Sequence, residues 1–279
     1  MSIASQARTF LFVPGSRPER FAKALASGAD AIVIDLEDAV LPDDKSSARR
    51  AVVTWLDGIA PAELDRVVVR INAAGTAWHG DDLDAIAPRV GAVMVAKAET
   101  GVALADAARL VPVIALIETA SSVLDARAIA ATAGVARLAF GSFDLANELG
   151  IDPLEADALR SSRMALVLAS AAAGLPGPID GVRAAIDDAD GLRAETQAAR
   201  RLGYTAKLCI HPRQVADVDE VLRPSAEEIA WATRILAALL DQPTAGVVTV
   251  DGRMVDKPVI DRAHRIEASS ARVQKENER

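Results

Sequence analysis

Short apolar runs recur along the chain and alternate with longer segments of helical length. Each run is continuous in apolar residues instead of alternating with polar ones. Continuous runs of this length are typical of strands buried on both faces, as in a parallel sheet covered by helices. We therefore predict strands at 9–14, 31–38, 66–72, 92–97, 112–118, 137–144, 177–180 and 206–212.

The segments between these runs are rich in alanine and carry apolar residues at helical spacing. We predict helices at 17–27, 45–56, 101–110, 121–133, 154–173 and 191–202. Eight strand–helix units fit a closed (β/α)8 barrel, a TIM barrel of the α/β class. A doubly wound open sheet is the competing architecture. Polar residues at nearly all predicted strand ends favour the barrel, because every strand then reaches one common mouth.

The pattern changes after Val221. Ser225 and Glu228 form a capping-box pattern, which predicts a helix running to about Leu240. Asp251-Gly252 between β-branched residues predicts a hairpin. We expect a last helix over 261–268 and a frayed or disordered polar tail over 269–279. The predicted organisation is a barrel domain, 1–221, followed by an extension, 222–279, of helix, hairpin-like lid and tail.

Composition and charge narrow the partners. The net charge is −8, which argues against nucleic acid or an anionic membrane surface as the main partner. An anionic substrate then needs a local basic cluster, for which the candidates flank the first two strands: Arg17, Lys23, Lys45 and Arg49. Each of them alone is more often a solvated helix residue.

Several observations bear on the compartment. Cys209 is the only cysteine, which excludes a disulfide framework and favours a reducing compartment. The first residues show no apolar segment of signal-peptide type, and no apolar run approaches the ~20 residues that span a bilayer. We expect a cytoplasmic protein.

Carboxylates gather where the predicted strands end. Glu118 and Asp144 terminate adjacent strands, and two carboxylates facing one mouth need a proton or a cation between them. Mg2+ that retains several waters meets that need. Asp35, Glu37 and Asp38 crowd the end of the second strand and can hold those waters or orient basic groups. Helix capping is the competing interpretation for any one of these acids.

Two basic residues belong to the third and fourth strands: Arg70 lies on the third after three valines, and Lys97 ends the fourth. Arg70 is suited to gripping a carboxylate or stabilising an enolate oxygen, and it can at the same time pair with Glu37 or Asp38. Lys97 is either a Schiff-base amine or a charge partner for Glu99 or Glu118. We favour the charge partner, because an amine and a metal are alternative electron sinks.

Two further side chains lie at the eighth strand. His211 is a candidate general base or substrate contact, although a lone histidine here is more often a hydrogen-bonded structural residue. Cys209 is expected in the core, because no adjacent base is present to activate it.

The assembled motifs resemble the citrate lyase β-subunit-like family of CoA-ester lyases, within the HpcH/HpaI aldolase superfamily. They occur in family order over nearly the whole chain: Leu11-Phe-Val-Pro-Gly-Ser-Arg-Pro-Glu-Arg20, Asp35-Leu-Glu-Asp-Ala-Val40, Val69-Arg-Ile-Asn72, Ile117-Glu-Thr-Ala120, Phe140-Gly-Ser-Phe-Asp-Leu145, Ile179-Asp-Gly181, Cys209-Ile-His-Pro212 and Asp251-Gly-Arg-Met-Val-Asp-Lys-Pro258. The resemblance is specific for the family and much less specific for the substrate.

The resemblance implies a (β/α)8 barrel, usually trimeric or a dimer of trimers, in which Glu118 and Asp144 hold Mg2+, with Mn2+ as an alternative. It implies that Arg70 contacts the oxo-acid and thioester oxygens, and that Phe12, Lys23 and the segment 45–49 cradle CoA. It also implies that Asp256, on a lid reaching over a neighbouring subunit, transfers the proton.

The expected reaction is reversible cleavage of a 3-hydroxyacyl-CoA, such as malyl-, citramalyl- or citryl-CoA, into acetyl-CoA and an oxo-acid. Three alternatives stay open. They are a metal-dependent pyruvate-type aldolase on free hydroxy-oxo-acids, a malate-synthase-like condensing hydrolase, and a citrate lyase β subunit that works on an acyl carrier protein.

Overall fold

The structure is a computed structural model that describes residues 2–241 and 248–277. Within these residues the chain divides into two compact units, 1–219 and 220–279. The first unit contains eight parallel strands that close into a barrel in sequence order, with β1 hydrogen-bonded to both β2 and β8. The strands are β1 Thr9–Pro14, β2 Ala31–Asp35, β3 Val67–Ile71, β4 Ala92–Val95, β5 Val113–Ile117, β6 Val135–Phe140, β7 Ile179–Asp180 and β8 Ala206–Cys209. The predicted (β/α)8 barrel is confirmed.

The barrel is surrounded by helices that connect its strands. Those before β6 are α1 Ile3–Gln6, α2 Phe21–Leu25, α3 Lys45–Leu56, α4 Pro61–Leu64, α5 His79–Ile86, α6 Val102–Leu110, α7 Ala120–Leu124 and α8 Ala126–Ala130. Those after β6 are α9 Ser142–Leu149, α10 Arg160–Ala172, α11 Ala189–Leu202 and α12 Arg213–Leu222. Short 3₁₀ turns lie at Pro18–Arg20, Pro42–Asp44 and Ala87–Arg89.

The barrel interior is packed with aliphatic side chains, as expected for a chain with few aromatics. Its lower end is closed by the N-terminal segment. The buried Arg137 guanidinium, on β6, donates to the carbonyl oxygens of Ala7 at 2.7 Å and Gly177 at 2.8 Å and to Thr205 Oγ1 at 2.7 Å. Its Nη1 is also 3.3 Å from the Ala4 carbonyl oxygen. Arg137 therefore fastens the first residues of the chain beneath the barrel.

Several predicted elements have different bounds in the structure. The strands β2, β4 and β6 end at Asp35, Val95 and Phe140, so the polar residues predicted at their tips lie in the loops that follow or in the next helix. The predicted helix at 121–133 is two short helices, broken at Asp125. Helix α5 was not predicted, because its first four residues, His79-Gly-Asp-Asp82, are polar or glycine and leave too few apolar positions to show a helical period.

The second unit contains a hairpin and two long helices. Strands β9 Val248–Val250 and β10 Arg253–Val255 pair antiparallel, and the turn residues Asp251 and Gly252 both have positive φ, at 52° and 73°. The predicted hairpin is confirmed for its described part, since positions 246 and 247 lie outside the described residues. It follows α13 Ala226–Asp241.

The final helix, α14, spans Lys257–Asn277. The predictions of a helix limited to 261–268 and of a frayed tail are wrong as far as residue 277. Ala263 and Val255 are buried in this unit's small apolar core, and Val259, Ile260 and Ile266 pack against it. That packing anchors the helix over several turns. Positions 278 and 279 lie outside the described residues. No described helix is long and apolar enough to cross a membrane.

Candidate active site

A cluster of charged side chains lies at the carboxyl ends of strands β2 to β6, which is the end of a (β/α)8 barrel where active sites occur. It borders a small cavity of about 70 Å³. The cavity is lined by Phe12, Arg70, Leu116, Glu118, Phe140, Gly141, Ser142, Phe143, Asp144, Val182 and Leu208. The structure therefore brings Arg70, Glu118, Asp144 and Phe12 to one place.

Arg70 is fixed by carboxylates of the neighbouring strand end. In the register of β2 and β3 it lies opposite Asp35. Its Nε and Nη2 donate to the two oxygens of Asp35, both at 2.7 Å, and Nη1 lies 2.9 Å from Glu37 Oε2. Burial works against the charge, yet the hydrogen bonds and charge of Asp35 raise the pKa of Arg70 above its usual value. The guanidinium carbon lies 5.0 Å from the centre of the Phe12 ring.

Glu37 and Asp38 follow β2 and differ in environment. Glu37 is buried, and burial raises the pKa of its carboxyl although Arg70 and Lys97 oppose the shift. The Asp38 side chain is 60% exposed, and its Oδ2 is 3.9 Å from Arg70 Nη2. Both acids were predicted to orient basic groups. Glu37 directly contacts two of them, whereas Asp38 stands at the edge.

Glu118 follows β5 and is 1% exposed. Burial, together with the nearby charges of Glu37 and Asp144, raises the pKa of its carboxyl to about 8. Room for this carboxylate depends on Gly141, because a Cβ added there would lie 2.5 Å from Glu118 Oε2. A glycine after β6 is therefore part of the site, and sequence reasoning missed its role.

Asp144 occupies the first turn of α9 instead of the tip of β6, and its side chain is 40% exposed. Lys97 joins it to Glu118. The Lys97 ammonium lies 3.8 Å from Asp144 Oδ1 and 3.9 Å from Glu118 Oε1. It donates to Glu37 Oε1 at 2.6 Å. Burial opposes the charge, but Glu37 and Glu118 raise the pKa of Lys97, so it stays protonated and is unsuited to Schiff-base chemistry. Lys97 is a charge partner, as predicted, but its closest partner is Glu37, which was not predicted, and Glu118 is the more distant one.

The donor set fits a magnesium ion. No group of three or more acidic, histidine or cysteine side chains arranged for a metal occurs in the described part of the chain. Mg2+, however, is commonly bound by one or two carboxylates and completes its shell with water and substrate oxygens. Glu118, after β5, and Asp144, in the first turn of α9, both lie within 4 Å of one cationic group, the Lys97 ammonium, and the missing Cβ of Gly141 leaves room for the Glu118 carboxylate.

The four basic candidates for an anionic ligand do not form one exposed cluster. Arg17 and Lys23 are exposed, and Arg17 pairs with Glu19 at 2.6 Å. Lys45 is buried, and its ammonium donates to the carbonyl oxygens of Leu36 and Glu37 and to Asn72 Oδ1, at 2.8, 2.7 and 2.7 Å.

Lys45 therefore spends its three N–H groups on the protein, and burial lowers its pKa. Arg49 is also buried and pairs with Asp81 at 2.8 Å and Asp82 at 3.4 Å. Sequence reasoning missed this buried network. The only hint of this network in the sequence was Asn72 in the Arg-Ile-Asn72 motif, which bonds to Lys45 and Asp82.

Among the described residues, His211 and Cys209 have no ion pair with the charged cluster. His211 follows β8, and its Nδ1 accepts a hydrogen bond from the backbone N–H of Arg213 at 3.2 Å. Cys209 is buried, and burial raises the pKa of its thiol to about 12, as expected for a core residue. Asp256 belongs to the second unit and lies at the start of α14.

A (β/α)8 barrel with an acidic, arginine-bearing mouth defines a barrel enzyme whose chemistry takes place at the carboxyl ends of the strands. The profile of the family described as HpcH/HpaI aldolase/citrate lyase matches residues 8–212. The chain belongs to this family. It is therefore an enzyme, and its class is that of the lyases.

Individual relatives are similar over nearly their whole length. A citrate lyase subunit beta-like protein from Mycobacterium tuberculosis is 39% identical over 272 residues, covering 94% of this chain and 95% of the relative. A (3S)-malyl-CoA thioesterase from Cereibacter sphaeroides is 37% identical over 262 residues, covering 89% of each. The crystal structure of the protein CitE from M. tuberculosis, in complex with magnesium, acetoacetate and coenzyme A, is 37% identical. Its TM-score is 0.83, over 96% of this chain and 99% of that one.

Proposed function

We propose that the protein is a Mg2+-dependent lyase that reversibly cleaves the carbon–carbon bond of a 3-hydroxyacyl-CoA bearing a free carboxylate. Malyl-, citramalyl- and citryl-CoA are the candidate substrates, and acetyl-CoA and an oxo-acid are the products. The observation that carries this proposal is the convergence of Glu118 and Asp144 on one cation position beside Arg70. The M. tuberculosis relative crystallised with magnesium, acetoacetate and coenzyme A supports it.

Each residue of the site has a chemical role in this proposal. Glu118 and Asp144 hold the metal, with Mn2+ as an alternative ion. Bound Mg2+ would supply a Lewis acid for the substrate's carboxylate and hydroxyl oxygens, lowering the hydroxyl pKa. Arg70 donates two of its five N–H groups to Asp35 and keeps Nη1 at 2.9 Å from Glu37 Oε2, so N–H groups remain for the negative charge that develops on the thioester oxygen.

The substrate's CoA part is assigned to the side of the mouth near β1 and β2. Phe12 packs against Arg70 and offers an apolar surface. The exposed cations Arg17 and Lys23 would meet the phosphates. Lys45 and Arg49 would support this wall from within, and His211 would contact the substrate from β8.

Proton transfer is assigned to Asp256 on the C-terminal unit. In the proposed oligomer, a trimer or a dimer of trimers, this residue would come from a neighbouring subunit's lid. Asp256 would protonate the enolate carbon to give acetyl-CoA. Light scattering on the purified chain measures the oligomer, and a monomer under assay conditions would contradict the lid exchange.

The decisive experiment is a panel of malyl-, citramalyl- and citryl-CoA, assayed with and without Mg2+, on the wild type and on Glu118→Gln, Asp144→Asn and Asp256→Asn. We expect activity on at least one thioester that EDTA abolishes and that each variant lowers by at least about a hundredfold. Asp106→Asn, which removes an exposed carboxylate paired with Arg109, is the matched control and should keep wild-type turnover. Full activity in EDTA, or in Glu118→Gln, would refute the metal assignment.

A thioesterase is the second candidate function, because a malyl-CoA thioesterase is 37% identical over 89% of the chain. Here water releases free CoA and malate without forming an oxo-acid. Measuring free thiol and oxo-acid in the same reaction separates the two. The same panel with free hydroxy-oxo-acids tests a pyruvate-type aldolase, glyoxylate with acetyl-CoA tests a condensing hydrolase, and a citryl carrier protein tests a carrier-dependent subunit.

A further inference from the structure

Lys97 has an unusual backbone conformation in the candidate active site. Its φ is 45°, and the only other described residue besides glycine with a positive φ is Asp251 in the hairpin turn. A side chain in this left-handed region costs free energy that the surrounding structure must supply. The strained backbone directs the Lys97 N–H to Glu118 Oε1 at 2.8 Å. The backbone of Lys97 thus fixes one of the two proposed metal ligands.

The side chain of the same residue lies among three carboxylates with unequal contacts. The ammonium makes one close hydrogen bond, at 2.6 Å, to Glu37. It lies at 3.9 and 3.8 Å from Glu118 and Asp144, at ion-pair distance without a hydrogen bond. The Lys97 side chain is 36% exposed, so it has room to move. The ammonium is therefore hydrogen-bonded to Glu37 and makes only longer ion pairs with Glu118 and Asp144.

A cation bound between Glu118 and Asp144 would lie a few ångströms from this ammonium, since Mg2+ binds carboxylate oxygens at about 2.0–2.1 Å. Two positive charges that close repel each other, even where the surroundings are partly solvated. Glu37 offers the ammonium a position that keeps an ion pair and moves away from the two ligands. Mg2+ and the Lys97 ammonium would therefore compete for the position between Glu118 and Asp144, and Glu37 is a nearby acceptor for the ammonium.

We propose that Lys97 is a positioning residue that acts as the internal counter-ion of Glu118 and Asp144 before the metal binds, and that keeps only its contact with Glu37 when the metal takes its place. This inference rests on the proposed function, in which these two carboxylates hold Mg2+. Lys97 holds the carboxylate pair in place, at the cost of a weaker resting affinity for the metal.

The test is calorimetric titration of chelator-treated full-length protein with Mg2+ at constant pH. Lys97→Met removes the competing charge at similar length, so it should bind Mg2+ at least about tenfold more tightly than the wild type. Lys97→Arg keeps the charge and should stay near the wild type. Arg109→Met makes the same change in net charge on the exposed face of α6, and should also leave the affinity unchanged. An unchanged or weakened affinity in Lys97→Met would overturn the inference.

A second variant, Glu37→Gln, distinguishes a specific effect of Lys97 from a general disruption of the site. Glu37→Gln removes the charged acceptor that holds Lys97 away from the cation position, so it should weaken Mg2+ binding. That weakening should shrink to less than half in the Lys97→Met background, because the two residues then no longer act together. If Glu37→Gln weakens Mg2+ binding equally with and without Lys97, the proposed joint action of Lys97 and Glu37 is wrong.

The outcomes separate this inference from the function beneath it. If the wild type and Glu118→Gln both fail to bind Mg2+, the proposed metal site itself is wrong. If the wild type binds Mg2+, Glu118→Gln does not, and Lys97→Met is no tighter than the wild type, only the role of Lys97 falls.

Discussion

Two clusters of charged side chains lie in the barrel unit, and they differ in how far their charges are balanced. One lies at β7 and β8 and joins the fully buried pair Asp180 and Lys207. The Lys207 ammonium donates to Asp180, to Glu195 and to the Gly181 carbonyl oxygen, at 2.8, 2.7 and 2.7 Å. Arg163 donates to the other oxygen of Asp180 at 3.1 Å. The other cluster is the candidate active site.

The two clusters differ in charge balance. Around Asp180, three basic groups, Arg163, Lys207 and Arg183, face the three acids Asp180, Glu195 and Asp188. Burial alone would raise the pKa of Asp180, but Lys207 and Arg163 hold it below its usual value. At the mouth, five acids, Asp35, Glu37, Asp38, Glu118 and Asp144, share the charges of Arg70 and Lys97.

The imbalance shows in the pKa of about 8 at Glu118, against the lowered pKa at Asp180. A buried carboxylate stays ionised when enough basic groups surround it. The cluster at β7 and β8 has one basic group for each acid, whereas the mouth has more acids than basic groups. Perturbed groups of the second kind are typical of sites that serve a ligand. The following predictions test that contrast, starting with the largest effect.

Breaking the balanced cluster should cost stability. Lys207→Met leaves the Asp180 carboxylate buried with Arg163 alone, so we expect the free energy of unfolding to fall by about 3–5 kcal/mol. Urea denaturation measures it. The same substitution at Lys257, which pairs with Asp261 on an exposed helix surface, is the control and should change almost nothing. Equal effects at both positions would contradict the distinction.

Replacing Arg70, which Asp35 holds in place at the mouth, should lower kcat and leave the fold intact. Arg70→Lys keeps the charge but loses the two-pronged contact with Asp35, and we expect kcat on the best thioester to fall about a hundredfold. Arg89→Lys, at an exposed pair with Asp57, should retain full kcat. Circular dichroism checks that both variants are folded, and wild-type kcat in Arg70→Lys would remove this residue from the mechanism.

The raised pKa of Glu118 gives the metal-free protein a pH dependence of known sign. Its folded pKa, about 8, lies above the usual 4.5, so the folded state binds more protons than the unfolded state between these values. Stability in EDTA should therefore decrease as pH rises from about 5 to 8. Glu118→Gln should flatten this slope and be more stable than the wild type at pH 8, by about 1–3 kcal/mol. Thermal unfolding across pH tests it, and an unchanged slope would contradict the assignment.

The smallest effect is expected at the edge of the mouth. Asp38 is 3.9 Å from Arg70 and its side chain is 60% exposed, so Asp38→Asn should change the free energy of unfolding by less than about 1 kcal/mol. Chemical denaturation beside the wild type measures this. A larger loss would show that the outer acid is bound into the network as firmly as Glu37.

The sequence contained enough to predict the barrel, because uninterrupted apolar runs already mark strands buried on both faces. It also placed Arg70, Glu118 and Asp144 near one another, since parallel strands of a barrel end at the same rim. Burial was harder to foresee. Lys45 and Arg49 look like solvated helix residues in the sequence, and only the packing of α3 against the β3 side shows their inward partners.

Pairings between distant residues were also out of reach. Asp180 and Lys207 are separated along the chain and meet only through the register of β7 and β8. The effect of Gly141 depends on a side chain from another strand, Glu118, which no local pattern contains. The role of Asp256 was inferred from resemblance alone and stays a prediction.

The Arg137 contact beneath the barrel has a practical consequence for work with this enzyme. Because the guanidinium donates to the Ala4 and Ala7 carbonyl oxygens, residues 3–8 close the end of the barrel opposite the active site. Shortening the chain to begin at Thr9 would remove the Ala4 and Ala7 carbonyl acceptors of a buried guanidinium and uncover this end of the core. A purification tag is therefore better added without replacing residues 3–8.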